Sequence, residues 1–205
     1  MMKLGRYSLF LAVGLFASAS LSPPPASAQL SDILLAPKTL IDRVIEARSA
    51  KDIAIDNRIV VEVNAIMVEY TTLKASTEIY EQRLLLTGIF DDKKLFDEFN
   101  AEVRRVEGVK ELFWHVVFIS EEEQEAREAE LLDWKDVLVL NTKVGFDLIG
   151  TRGVADVNFR TAVDSFSTVY LMGRARSQNE LDKALGVVKE REGVAKVINY
   201  AVVRP

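Results

Sequence analysis

The chain has 205 residues, no cysteine, a single histidine, and 31 acidic against 26 basic side chains for a formal net charge of −5. Without cysteine there can be no disulfide, thiolate ligand or lipidated thiol, and one histidine cannot build a typical zinc site. An acidic chain without an aromatic-interleaved basic stretch also repels a phosphate backbone, which excludes ordinary nucleic-acid binding.

Residues 1–28 read as a cleaved secretory signal peptide. Lys3 and Arg6 precede an apolar run from Tyr7 to Phe16, Pro23-Pro24-Pro25 breaks any helix, and Ala26-Ser27-Ala28 offers small residues to a signal peptidase. Cleavage is expected between Ala28 and Gln29, and the apolar run is too short to span a bilayer. The mature protein is therefore expected in the periplasm, unlipidated. A lead-in at 29–51 follows, with a short amphipathic helix expected over Leu40, Val44 and Ile45.

The chain then says the same thing twice, about eighty-five residues apart, and fixed-period self-similarity dictates architecture. Leu84-Leu85-Leu86-Thr87-Gly88 returns as Val169-Tyr170-Leu171-Met172-Gly173, and Gly108-Val109 returns as Gly193-Val194. In the first copy, 52–119, Ile55, Ile59, Val63 and Ile66 make a helical stripe from Asp52 to about Tyr70. Strands are expected over Thr77 to Tyr80 and Leu84 to Leu86. Phe96, Phe99 and Val103 mark a second helix, with Asp91-Asp92 at its start. Gly108 is expected to stop that helix in a left-handed conformation, before a strand from Leu112 to Ile119.

Residues 120–135, with seven acids and two bases, are expected to form a charged helical linker, mostly solvated, the alternative being a docking surface for a basic partner. The second copy, 136–205, repeats the order. Leu140, Val144 and Leu148 give the first stripe, ending at Gly150. Strands follow over Val157 to Val163 and Val169 to Met172. Leu181, Ala184 and Val188 mark a helix begun by a Ser177/Glu180 capping box and stopped by Gly193, and a strand runs from Lys196 to Val203. The fold class is α+β: two tandem αββαβ domains, each a small mixed three-stranded sheet with two helices on one face. Units this small bury a thin core, so contact between the copies is expected.

This order, the strand ending in Gly173 and the helix closed by Gly193-Val194 resemble the BON domain. Two copies behind a signal peptide resemble the tandem BON-domain periplasmic proteins, an OsmY/DolP-like family. The resemblance covers Asp52 to Pro205 and implies envelope maintenance by binding rather than catalysis. It implies association of the second domain with anionic phospholipid and support of outer-membrane integrity. Its alternative is a soluble, stress-associated protein-interaction or chaperone-like module. In the lipid-binding relatives, aligned on Thr142-Lys143-Val144, a membrane-inserting tryptophan stands where this chain has Val139, and Trp134 lies five residues earlier.

Charge points the same way: 52–119 carries 13 acids and 8 bases, whereas 136–205 carries 8 acids and 10 bases. The candidate lipid- or partner-binding residues are Trp134, Lys135, Val139, Lys143 and Arg152, and the structural glycines are Gly88, Gly108, Gly173 and Gly193. His115 reads as structural. Neither Asp91-Asp92 nor Glu121-Glu122-Glu123 has a companion suited to acid–base work, and Gly150-Thr-Arg152-Gly153 lacks a Walker pattern. No enzyme activity, cofactor or metal is expected.

Overall fold

The computed structural model describes residues 46–70 and 74–204. The signal segment, the Ala28/Gln29 junction and the helix expected over Leu40, Val44 and Ile45 lie outside the described residues. The first half runs α1 (Ala50–Glu69), β1 (Ala75–Tyr80), β2 (Arg83–Phe90), α2 (Lys93–Val103) and β3 (Glu111–Phe118). A short α3 (Glu121–Ala126) leads to the second half: α4 (Trp134–Gly150), β4 (Phe159–Val163), β5 (Thr168–Ala175), α5 (Gln178–Glu190) and β6 (Lys196–Val203). Each half is one three-stranded sheet. The central strand pairs antiparallel with the strand before it and parallel with the strand after it, because the helix between returns the chain to its starting end.

The helical stripes lie where their periodicity places them. Ile59 and Val63 of α1 and Phe99 and Val103 of α2 close the first core over Leu84, Leu86 and Phe90. Leu140, Val144 and Leu148 of α4 and Leu181, Ala184 and Val188 of α5 close the second over Val169 and Leu171. The opposite faces of the two sheets pack on each other. Tyr80 and Leu85 from one sheet and Ala162, Tyr170 and Met172 from the other form a third cluster, edged by Phe113, Ile198 and Tyr200. The result is a four-layer sandwich with helices outside and sheets within. It explains why Leu84, Leu85 and Leu86 are all fully buried: alternate side chains enter different cores, and an uninterrupted apolar run is what a strand covered on both faces needs.

Polar groups stitch this seam. The Tyr80 hydroxyl donates to Asn158 Oδ1 at 3.3 Å, Arg83 Nη2 donates to the Tyr200 carbonyl at 2.5 Å, and the Ala47 N–H donates to Asn158 Oδ1 at 2.7 Å. Buried Asp56 accepts the Glu81 and Gln82 N–H groups at 2.9 and 2.7 Å, holding the positive-φ turn between β1 and β2, and pairs with Arg48 at 3.0 Å. Glu78 shares the seam face of β1 with Tyr80. Burial pushes its carboxyl up to about 7, opposed by the charge of Arg160 on β4.

Several sequence expectations shift. The linker helix covers Glu121–Ala126 rather than the whole of 120–135, and it is this helix that carries a full capping box, between Ser120 and Glu123. Asp133 accepts the Asp136 N–H and starts α4 at Trp134, so Trp134 and Lys135 belong to the second half. Ser177 does cap α5, but the Glu180 carboxylate turns instead to the Ala155 and Arg176 N–H groups at 2.7 and 2.8 Å. Val157 lies in a 3-10 turn ahead of β4. Gly108 and Gly193 do have positive φ, 87° and 91°, yet α2 ends at Val103 and α5 at Glu190, so both glycines turn the chain into the next strand instead of capping the helix. Gly88 and Gly173 are required by close approach: a β-carbon on Gly173 would lie 2.1 Å from the Asn158 carbonyl oxygen, and one on Gly88 2.6 Å from that of Lys74.

Candidate functional site

Helix α4 is apolar on two opposite sides. One side carries Val137, Leu140, Val144 and Leu148 into the core. The other presents Leu138, Val139, Phe146 and Ile149 to solvent, at 47, 41, 67 and 49 % exposure. Residues three and four apart share a helix face, so these four form a lane along the outside of the molecule. Thr142 lies within it, and its hydroxyl donates to the Leu138 carbonyl at 2.8 Å, which leaves its methyl to the lane. Solvation alone does not account for an apolar face this continuous on a surface helix.

The lane has a cationic border. Trp134, Lys135, Leu138, Val139, Thr142, Lys143 and Phe146 line one shallow concavity. Lys135 and Lys143 form no ion pair with a described residue, whereas Asp147 on the same helix is bonded to Arg191. The charged residues lining the concavity are therefore both cationic, while Asp136, exposed on the same helix one turn before Val139, also forms no ion pair with a described residue. The indole of Trp134 packs against the edge of the second core, so it is half-buried rather than projecting.

The matching helix of the first half differs. Val61 and Val68 of α1 are exposed, at 70 and 71 %, but Asn64 and Ala65 lie between them on that face and Arg58, Glu62 and Glu69 flank it. The apolar lane belongs to the second half.

Of the residues singled out from sequence, Trp134, Lys135, Val139 and Lys143 come together here. Arg152 is exposed in the turn after α4 and is not among the residues lining the concavity. Sequence reasoning missed Leu138, Phe146 and Ile149. Their signal was a second apolar stripe out of phase with the core stripe, the mark of a helix apolar all round.

His115 is held in the seam. Its Nε2 lies 2.8 Å from the Tyr200 hydroxyl, its ring centroid lies 4.2 Å from that of Tyr170 with the planes tilted by 32°, and burial lowers its pKa. Among the described residues no group of histidine and carboxylate side chains is placed to hold a metal ion, and no helix is long and apolar enough to cross a membrane.

The BON domain model matches residues 137–205, α4 through β6, so the second half is a BON domain. The chain is also 28 % identical over 152 residues to a curated protein of Anaplasma centrale described as an uncharacterized protein in the gshII 5′ region, covering 71 % of this chain and 92 % of that one. Among solved structures, two of CdsD, a structural protein of the type III secretion system of Chlamydia trachomatis, align at 11 % identity. They cover 72 % of this chain and 93 and 98 % of theirs, with TM-scores of 0.30 and 0.29.

Proposed function

We propose that this is a non-catalytic cell-envelope protein whose BON domain binds anionic phospholipid at a membrane surface through the outward lane of α4, in support of outer-membrane integrity. The observation that carries this reading is the exposed Leu138/Val139/Phe146/Ile149 lane bordered by Lys135 and Lys143, which form no ion pair with a described residue. BON domains are often linked to membrane or phospholipid binding. The repeated element order of 52–119 supports a tandem arrangement of the OsmY/DolP-like kind, and the signal-like segment supports a periplasmic location after cleavage between Ala28 and Gln29.

Magnitudes favour reversible association. Each basic residue near an anionic surface contributes on the order of 1 kcal/mol, and four partly exposed apolar side chains add a few kcal/mol at about 25 cal/mol per Å². Binding is therefore expected to be weak and salt-sensitive.

Because the inner sheet faces are shared, the test uses point variants of the intact chain beginning at Gln29. In liposome flotation, vesicles containing phosphatidylglycerol should carry the protein at low salt, and phosphatidylcholine vesicles should not. Lys135→Glu with Lys143→Glu, or Phe146→Ser, should each weaken capture about tenfold. Raised salt should mimic the lysine variant, since exposed charges are screened beyond about 10 Å. Absence of binding to anionic vesicles at low salt would sink the lipid reading and leave the protein-interaction module.

A further inference from the structure

A second concavity lies on the molecule, distinct in chemistry from the α4 lane. Residues of α3, the segment after it, the end of β2 and the turn between β4 and β5 enclose a groove of about 670 Å³. Its apolar wall is made by Ile89, Leu131, Leu132 and Trp134. Its polar border is acidic: Glu125, Glu128 and Asp133 line it against one cation, Lys74. Glu125 and Glu128 are exposed, and neither forms an ion pair with a described residue.

The walls are fixed by bonds on either side. The Leu132 N–H donates to the Ser165 carbonyl at 2.8 Å, Gln124 Nε2 donates to the Ile119 carbonyl at 2.8 Å, and the Arg127 guanidinium lies 5.4 Å from the Phe166 ring centroid. A groove anchored in this way is preformed, so an occupant spends little on ordering it. Apolar floor and anionic rim together select a ligand with an apolar side chain beside a cation. An anionic lipid headgroup is disfavoured by the same carboxylates, and a purely apolar ligand would leave them desolvated and unpaired.

We propose that this groove docks an extended segment of a partner protein in which lysine or arginine flanks an apolar side chain, the apolar group resting on Leu131, Leu132 and Trp134 and the cation meeting Glu125 and Glu128. The acidic linker is then a recognition element rather than a solvated spacer. This site is separate from the lipid lane, although Trp134 borders both.

The test uses the chain beginning at Gln29 with Trp114→Phe, so that Trp134 is the remaining tryptophan reporter of the two in the chain. The probe is a short synthetic peptide of alternating leucine and lysine, with a leucine–glutamate peptide as control. The basic peptide should shift Trp134 emission saturably, and the acidic one should not. Glu125→Lys with Glu128→Lys should weaken the basic peptide about tenfold. Glu62→Lys with Glu107→Lys changes net charge equally without lining the groove and should leave affinity within about twofold, as should Phe146→Ser, which disables the lane. Loss of binding in the Glu62/Glu107 variant to the same degree, binding of the acidic peptide, or no saturable response would overturn the proposal. Liposome capture by the Glu125/Glu128 variant is scored separately, so failure of the groove and failure of the lane are distinguishable.

Discussion

At the scale of single residues, the glycines separate two physical demands. Gly193 needs a left-handed backbone but has space, its nearest neighbour to an added β-carbon being Leu140 Cδ1 at 3.6 Å. Gly173 has φ 135° and no space, with a neighbouring carbonyl oxygen 2.1 Å from where a β-carbon would sit. Conformational strain alone costs about 1–2 kcal/mol, whereas a clash with backbone in a packed sheet must displace a strand. Gly193→Ala is therefore expected to lose about 1 kcal/mol in urea unfolding and Gly173→Ala about 3 kcal/mol or more. Equal losses would mean that β4 yields freely at Asn158.

At the scale of elements, α4 carries structure on one side and the candidate site on the other. Leu148 is 3 % exposed, so Leu148→Ala leaves a cavity and should cost about 2–4 kcal/mol. Phe146, two residues earlier and 67 % exposed, should tolerate Ala within about 0.5 kcal/mol while anionic-vesicle capture falls. Thermal unfolding and flotation of the two variants read these effects apart. A large loss of stability in Phe146→Ala would show that the lane is covered by the protein itself. The Ser177/Glu180 motif teaches a related lesson. A capping pattern marks where α5 begins, yet the Glu180 carboxylate accepts two N–H groups outside the helix and pairs with Arg176 at 3.1 Å, contacts that spacing cannot reveal.

At the scale of the whole molecule, the seam packs the two sheets together over a buried titratable group, so stability is expected to depend on pH. The Glu78 carboxyl, raised by burial to about 7 from an ordinary 4.5, favours its protonated form in the folded state. Its stabilising contribution is complete below about 4.5, falls as pH rises toward 7 and is absent above that. Glu78→Gln removes the titration. The variant's midpoint should exceed that of the wild type at about pH 8 by several degrees, and the gap should close near pH 5. A gap independent of pH would place Glu78 in water rather than in the seam.

The sequence by itself determined the repeat, the αββαβ order and which helix faces enter each core, because 3.6-residue and alternating periodicities report burial directly. Charge and the family resemblance also named Trp134, Lys135, Val139, Lys143 and Arg152 as candidates, of which the first four line one concavity and Arg152 does not. Tertiary structure alone decided the rest. The run Leu84-Leu85-Leu86 shows two buried faces without saying what covers the second, and only sheet-on-sheet packing supplies Tyr170 and Met172. Leu138, Phe146 and Ile149 went unassigned, because only the filling of the core from the opposite side of α4 shows that they face outward. The groove beside α3 joins β2, the linker and the β4–β5 turn, segments distant in sequence that no local pattern connects.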